Sequence, residues 1–353
     1  VDEDRATEWG IQAVPVEAGQ PALYLGVAAL GENGGEEVIP FLHPNRQQFL
    51  EYDLARVIAR AARVKPPVIG LVSSLPVNGG LDLARRTMHR PWTALRELGD
   101  SYPISDLGSD FDVIGSEIDV LLLIQPGPLP SASVFAIEQF LLAGKPALIF
   151  VDPDPQSAPF PVVSEAVAHR ESTEAGGRSP ADLSELFRAW GISWSENQVV
   201  GDAVHAMLVN IGDEQTPARD LTLLGLKPET APASSAAAIT RDLESLNVAT
   251  AGAWRLAADS GLDWSPLLRS SSGSAMIDAR RLQGLKDPGD LLDGFSPDGR
   301  RHDLMGLLRG EVRSVFVEQD GNASDRRSGG AITVLLAADT DMLTDRLWVQ
   351  VQG

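Results

Sequence analysis

The sequence predicts an α/β fold: a mainly parallel, doubly wound sheet preceded by a small α/β piece. Three observations lead there. The runs 118-IDVLLLI-124 and 146-PALIFV-151 are apolar at nearly every position, as strands buried on both faces must be. Helical patterns about a dozen residues long alternate with such runs from residue 66 onward, the rhythm of a parallel sheet covered by helices. Finally, 43% hydrophobic against 22% charged residues excludes wholesale disorder in a chain of 353 residues.

The elements follow in order. Strands over 22–30 and 36–42 flank Gly31-Glu-Asn-Gly-Gly35, a hairpin turn by composition. A helix over 45–63 carries Leu50, Leu54, Val57, Ile58 and Ala61 on one face, with Asn45 as its expected cap, and Lys65-Pro66-Pro67 stops it. On that helix Glu51 and Asp53 are expected to pair with Arg56 or Arg60. A strand over 68–74, a helix over 91–99, a short strand near 102–107 and the strand 118–125 come next. A helix over 131–144, capped by Ser131 and ended by Gly144, leads to a strand over 147–152. Residues 153–180 are rich in Pro, Ser and Gly and read as an excursion. Ser179-Pro180 starts a helix that Gly191 ends. Short strands at 198–200 and 207–209, irregular chain at 228–238, a loop at 266–274, and strands over 312–319 and 331–341 complete the reading. The domain boundary falls at 65/66, giving segments 1–65 and 66–353.

Composition narrows the function. Forty-nine acidic against 29 basic residues give a net charge of −20, which repels phosphate backbones and excludes a nucleic-acid partner. The absence of Cys removes disulfides, thiolate nucleophiles and Cys-held metals. No apolar run approaches the roughly 20 residues of a membrane-spanning helix. The chain starts at Val1 rather than Met, so the expectation is a fragment or processed form whose anchoring segments lie outside it.

Several segments taken together carry a resemblance: 39-IPFL-42, 51-EYDLARVI-58, 69-IGLVSSLP-76, Pro91-Trp92, 119-DVLLLIQP-126, 137-IEQFLLAGKPALIFVDP-153, 267-LLRSS-271 and 337-AADTDMLTDRLW-348. In this order, over about residues 8–348, the chain resembles the auxiliary family of ABC-type transport systems, of which the gliding-motility GldG component is one relative. The resemblance implies a non-enzymatic accessory on the extracytoplasmic, periplasmic face of the bacterial inner membrane. It would work beside an ABC permease and, through it, an ATPase subunit, tethered to the membrane by segments absent from this chain. Consistent with that, no G-x-x-x-x-G-K-[ST] phosphate loop occurs. Residues 1–65 would be the tail of an upstream α/β domain, thioredoxin-like in strand order, and the order of later elements is similar to flavodoxin-like and class I glutamine-amidotransferase-like domains.

Candidate site residues come from topology. Ligands of open parallel sheets sit at the carboxyl ends of the strands. Four segments qualify: Ser73-Ser74, Gln125, Asp152 with Asp154, and Asp339 with Asp341. They could form a polar pocket for a sugar or peptide, or offer oxygens to a hard cation. Equally, Asp and Ser after a strand cap the next helix and turn the chain. A hydrolase built on Ser73 or Ser74 lacks the G-x-S-x-G elbow, and His43, His89, His169, His205 and His302 lack zinc spacing. No cofactor is called for. Trp92 and Trp190 sit in amphipathic helical patterns and are expected in the core, while Trp194, Trp254, Trp264 and Trp348 have no assignable place.

Overall fold

The computed structural model describes residues 2–15, 22–32, 34–62, 65–82, 87–157, 183–211, 216–229, 237–240, 243–316 and 326–348. The chain forms two compact units, Val1–Pro67 and Val68–Gly353.

The first unit holds α1 (Asp2–Glu8), β1 (Ala13–Val14), β2 (Leu23–Tyr24), β3 (Val27–Leu30), β4 (Glu36–Ile39) and α2 (Leu50–Ala61). Strands β3 and β4 pair antiparallel around the expected turn. Asn45 does not cap a helix: residues Pro44–Phe49 form a 3-10 turn and α2 starts only at Leu50, because Pro44 opens that turn first. Val57 and Ala61 are buried, whereas Ile58 is exposed on the flank of the same face. Asp53 pairs with Arg46 at 2.9 Å and with Arg56 at 3.9 Å, and Arg60 turns to Glu37 at 2.7 Å. Gly31 is required by close approach, since a Cβ there would meet the Ala61 carbonyl oxygen at 1.8 Å.

The second unit runs β5 (Val68–Ser73), β6 (Gly80–Asp82), β7 (Thr87–His89), α3 (Thr93–Gly99), β8 (Ile104–Asp106), β9 (Ile118–Ile124), α4 (Ser131–Leu142) and β10 (Ala147–Phe150). There follow α5 (Leu183–Ala189), β11 (Ile192–Trp194), β12 (Gln198–Asp202), β13 (Ala206–Ile211), β14 (Thr216–Leu226), α6 (Ala237–Thr240) and β15 (Leu246–Ala249). The chain closes with β16 (Trp254–Leu256), β17 (Asp263–Arg269), β18 (Ser274–Asp278), β19 (Asp303–Arg313), β20 (Gly329–Ala337) and α7 (Asp345–Trp348).

The central sheet has the order β11-β16-β19-β20-β10-β9-β5-β8, with β17 also on β19. From β20 to β8 every neighbouring pair is parallel, so five strands form the expected parallel half. Beyond β20 all pairs are antiparallel, an extension absent from the sequence reading. Residues 303–311 belong to this extension, with Gly306, Gly310, Arg309 and Glu311 interrupting the apolar pattern. Arg269, expected in a loop, ends β17 instead.

Alternate residues of the parallel strands feed two cores. Leu121, Leu123, Ile149, Val334 and Leu336 meet α4 and α5 on one face, with Trp190 buried among them. Leu122, Ile124, Phe150, Leu335 and Ala337 face the other way, toward Trp92 and Leu95 of α3. That second face is completed by Val200, Leu224 and Val248 from β12, β14 and β15, so strands stand where a doubly wound fold would have helices. Helix caps differ from expectation as well. Pro130 precedes α4 with Ser131 already helical, and α3 takes its cap from afar: the Asp345 carboxylate accepts from the Thr93 N–H at 2.8 Å. Ser179 and Pro180, most of the 153–180 excursion, and most of 228–238 lie outside the described residues. Among the described residues no helix is long and apolar enough to cross a membrane.

Candidate functional site

The register of the parallel half brings the four predicted segments to one edge. Ser73 stands opposite Ile124, Phe150 opposite Ile124, and Phe150 opposite Ala337, so Ser74, Gln125, Asp152 and Asp339 all follow strand ends at the same level. The protein's own groups occupy their polar atoms. The Ser73 hydroxyl donates to the Leu75 carbonyl at 3.3 Å, and the Ser74 hydroxyl donates to the Gln125 carbonyl. Gln125 sits at φ 42°, outside the usual range for a non-glycine residue. Its side chain clasps the next strand end, accepting from the Asp152 N–H at 2.8 Å and donating to the Asp152 carbonyl at 3.0 Å.

The carboxylates act likewise. Asp152 accepts from the backbone N–H of Asp154 and of Thr340, and from the Thr340 hydroxyl. Asp339 accepts from the Ala249 N–H at 2.7 Å and from the Met342 N–H at 2.8 Å. Asp341 accepts from the Gln156 N–H and the Ser157 hydroxyl, with Arg346 at 3.8 Å. Asp152, Asp339 and Asp341 are all buried. Burial, and then the neighbouring Asp339 and Asp341 charges, push the Asp152 carboxyl well above the usual range. Burial and then Asp341 push Asp339 up to about 8, and burial raises Asp341 and Asp154. Among the described residues, no three acidic or His side chains are arranged to hold a metal ion.

What this edge visibly does is hold the segment between β15 and β16. Besides the Ala249–Asp339 bond, the Thr250 hydroxyl donates to the Asp154 carbonyl at 2.9 Å, with Thr250 itself at φ 56°. The Gly252 N–H donates to the Ala338 carbonyl at 2.7 Å. Two residues further on, the chain delivers Trp254 into a cleft.

This cleft, about 570 Å³, lies on the antiparallel extension at the same end of the sheet. Its lining includes Trp194, Trp254 and Trp264 together with Arg255, Arg269 and Asp303. Further along, Arg300, Arg301 and His302 form part of the wall. Trp194 and Trp254 have ring centroids 6.3 Å apart, and Trp264 donates its indole N–H to Asp303 at 2.8 Å. Gly306 makes room for Trp264, because a Cβ there would come within 2.4 Å of the ring. Arg269 Nε lies 2.6 Å from Asp303 Oδ1, and Arg301 is bound to Glu229.

The wall at 300–302 is held by a second aspartate. Asp202, fully buried, accepts from the N–H groups of Val204, His205 and Ser271, from the Ser271 hydroxyl at 2.7 Å, and pairs with His205 Nδ1 at 3.0 Å. Burial pushes its carboxyl up, but the bonds from Ser271, His205 and Val204 outweigh it and hold the pKa at about 2. Next to Ser271, the Ser270 hydroxyl accepts from the His302 N–H at 2.7 Å, and its carbonyl accepts from Arg301 Nε. The segment 267-LLRSS-271 thus ties β17 to the wall residue by residue. Asp202, Asp303 and the cleft escaped the sequence reading, since their contacts join residues dozens of positions apart. Trp254 and Trp264, in a chain with few aromatic residues, were the available signal.

The model of the family described as "ABC-type uncharacterized transport system" matches residues 66–353. No curated protein matches the chain. Among solved structures, a ThuA-like protein from Parabacteroides merdae is similar over 78% of this chain and 79% of its own, at 10% identity and a TM-score of 0.33. An exo-β-1,4-mannosidase from an Opitutaceae bacterium is similar over 86% of this chain and 36% of its own, at 12% identity and a TM-score of 0.27. The family model covers most of the chain, and the chain belongs to that ABC-transport auxiliary family.

Proposed function

We propose that the protein is a non-enzymatic accessory of an ABC-type transport system, acting by protein–protein contact with the permease and, through it, serving the ATPase subunit. It stands on the extracytoplasmic face of the inner membrane, tethered by segments outside this chain, with residues 1–65 the tail of an upstream α/β domain. The observation that carries the reading is the family match across 66–353. Exposed apolar side chains lend support: Val204, Leu208, Ile239 and Leu243, before and after β14 in the chain, are all exposed and available to a partner. The parallel half has the order 2-1-3-4-5 when its strands are numbered along the chain, which supports a flavodoxin-like winding for it.

The test is capture of the permease from solubilised membranes by the purified protein, compared with a Val204→Asp/Leu208→Asp variant. Retention by the parent and loss by the variant is the expected result. Failure of the folded parent to retain the permease contradicts the reading.

A further inference from the structure

Five buried side-chain polar atoms lack a hydrogen-bond partner among the described residues, and four of them belong to residues lining one cleft. These are Trp254 Nε1, Arg269 Nε, His302 Nε2 and Asp303 Oδ1. Arg269 Nε and Asp303 Oδ1 are in ionic contact, as is His302 Nε2 with Asp298 at 3.2 Å, but off the line a hydrogen bond needs. Trp254 Nε1 has neither kind of partner, although the residue is only 4% exposed. Buried donors are rarely left unpaired without a reason, and the Trp254 indole N–H, without a partner in the wall of a concavity, points to an absent acceptor.

Charge supports the same conclusion. In a chain of net charge −20, this wall gathers Arg255, Arg269, Arg300 and Arg301 against Asp303 alone. Arg269 is neutralised by Asp303 and Arg301 by Glu229. Arg255 and Arg300 are exposed and have no ion pair among the described residues, so two residues of the lining carry uncompensated positive charge. A guanidinium fork matches a carboxylate in bidentate geometry, and an indole offers apolar surface with one donor. The cleft volume is that of a small-molecule site.

We propose that this cleft binds a small carboxylate-bearing ligand, its anionic group taken by Arg255 and Arg300 and an acceptor oxygen by the Trp254 indole N–H. The ligand would be a sugar acid or the carboxyl terminus of a short peptide, both of which carry this chemistry. The site is independent of the permease contact and is tested on the protein alone.

Titration calorimetry with digalacturonate, acetyl-alanyl-alanine and the neutral disaccharide cellobiose decides it. One of the two carboxylates should bind, and which one does identifies the source. The Arg255→Ala/Arg300→Ala variant should bind it at least about tenfold more weakly, with an unchanged circular dichroism spectrum because both side chains are exposed. Trp254→Phe, which keeps an aromatic ring at the position and removes the N–H, should weaken it about fivefold. No binding of either carboxylate at about 10 mM, a ceiling weaker than any useful affinity, overturns the proposal. So does equal binding of cellobiose, or a double variant as tight as the parent.

Discussion

The carboxyl edge and the Trp/Arg cleft share a segment, for Ala249–Trp254 leaves the first and lines the second, yet they treat polar atoms in opposite ways. At the edge Asp152, Asp339 and Asp341 each accept from backbone N–H groups, and the Ser74 hydroxyl and Gln125 amide are taken up by the next strand end. In the cleft, four buried atoms have no hydrogen bond. Polar residues whose bonds are complete hold the chain in place, whereas those with bonds outstanding invite something from outside. Asp202 sharpens the contrast within the edge-like class. It is likewise closed to solvent, but burial weighs less on it than on Asp339, its five donors include His205 and no second carboxylate stands beside it, so its pKa falls where that of Asp339 rises.

The most damaging way to probe this contrast is Asp339→Ala. It strands the Ala249 and Met342 N–H groups in the interior, at about 1–3 kcal/mol each, partly offset by relief of charge burial. A net loss of about 2–4 kcal/mol in urea denaturation is expected. Asp339→Asn removes the buried charge and keeps one acceptor oxygen, but sets its NH2 against the other backbone N–H, so it should cost less than the alanine without being neutral. Asp202→Ala should follow closely, losing about 2–3 kcal/mol because the Ser271 and His205 donors are left behind.

Gentler than either is pH. Asp339 has a folded-state pKa above its unfolded value, so the folded state holds the extra proton and stability falls as pH rises from about 4 to about 8. Asp202 has the opposite sign: its contribution is present above about pH 4 and is lost as pH falls toward 2. Denaturation midpoints measured from pH 3 to 9 should therefore decline as pH rises in the parent and decline less steeply in Asp339→Asn, where the raised Asp152 and Asp341 carboxyls still titrate. An alkaline limb unchanged by that substitution breaks the comparison. The smallest effect belongs to the surface: Leu208→Asp should change stability by no more than about 0.5 kcal/mol while removing permease capture.

The parallel half was legible because burial on both faces forces apolar residues at consecutive positions, as in Ile118–Ile124 and Ala147–Phe150. Strand ends then gave the edge, since topology alone carries Ser73, Gln125, Asp152 and Asp339 to one level. The antiparallel extension was not legible. Its strand Asp303–Arg313 mixes two glycines with four charged residues, and β16 is only three residues long. The cleft depends on pairings such as Arg269 with Asp303 and Asp202 with Ser271, which local patterns do not encode. Helix ends were misread where a distant group does the capping, as Asp345 does for Thr93.

The central claim is that the edge supports and the cleft binds. The most direct measurement titrates one carboxylate ligand, whichever of digalacturonate and acetyl-alanyl-alanine the parent retains, into two variants side by side. Ser74→Ala/Asp154→Ala removes side chains at the edge, and Arg255→Ala/Arg300→Ala removes the unpaired cations of the cleft. The account predicts parental affinity in the first and at least about a tenfold loss in the second. Loss in the first with affinity kept in the second would contradict it and return the binding site to the ends of the parallel strands.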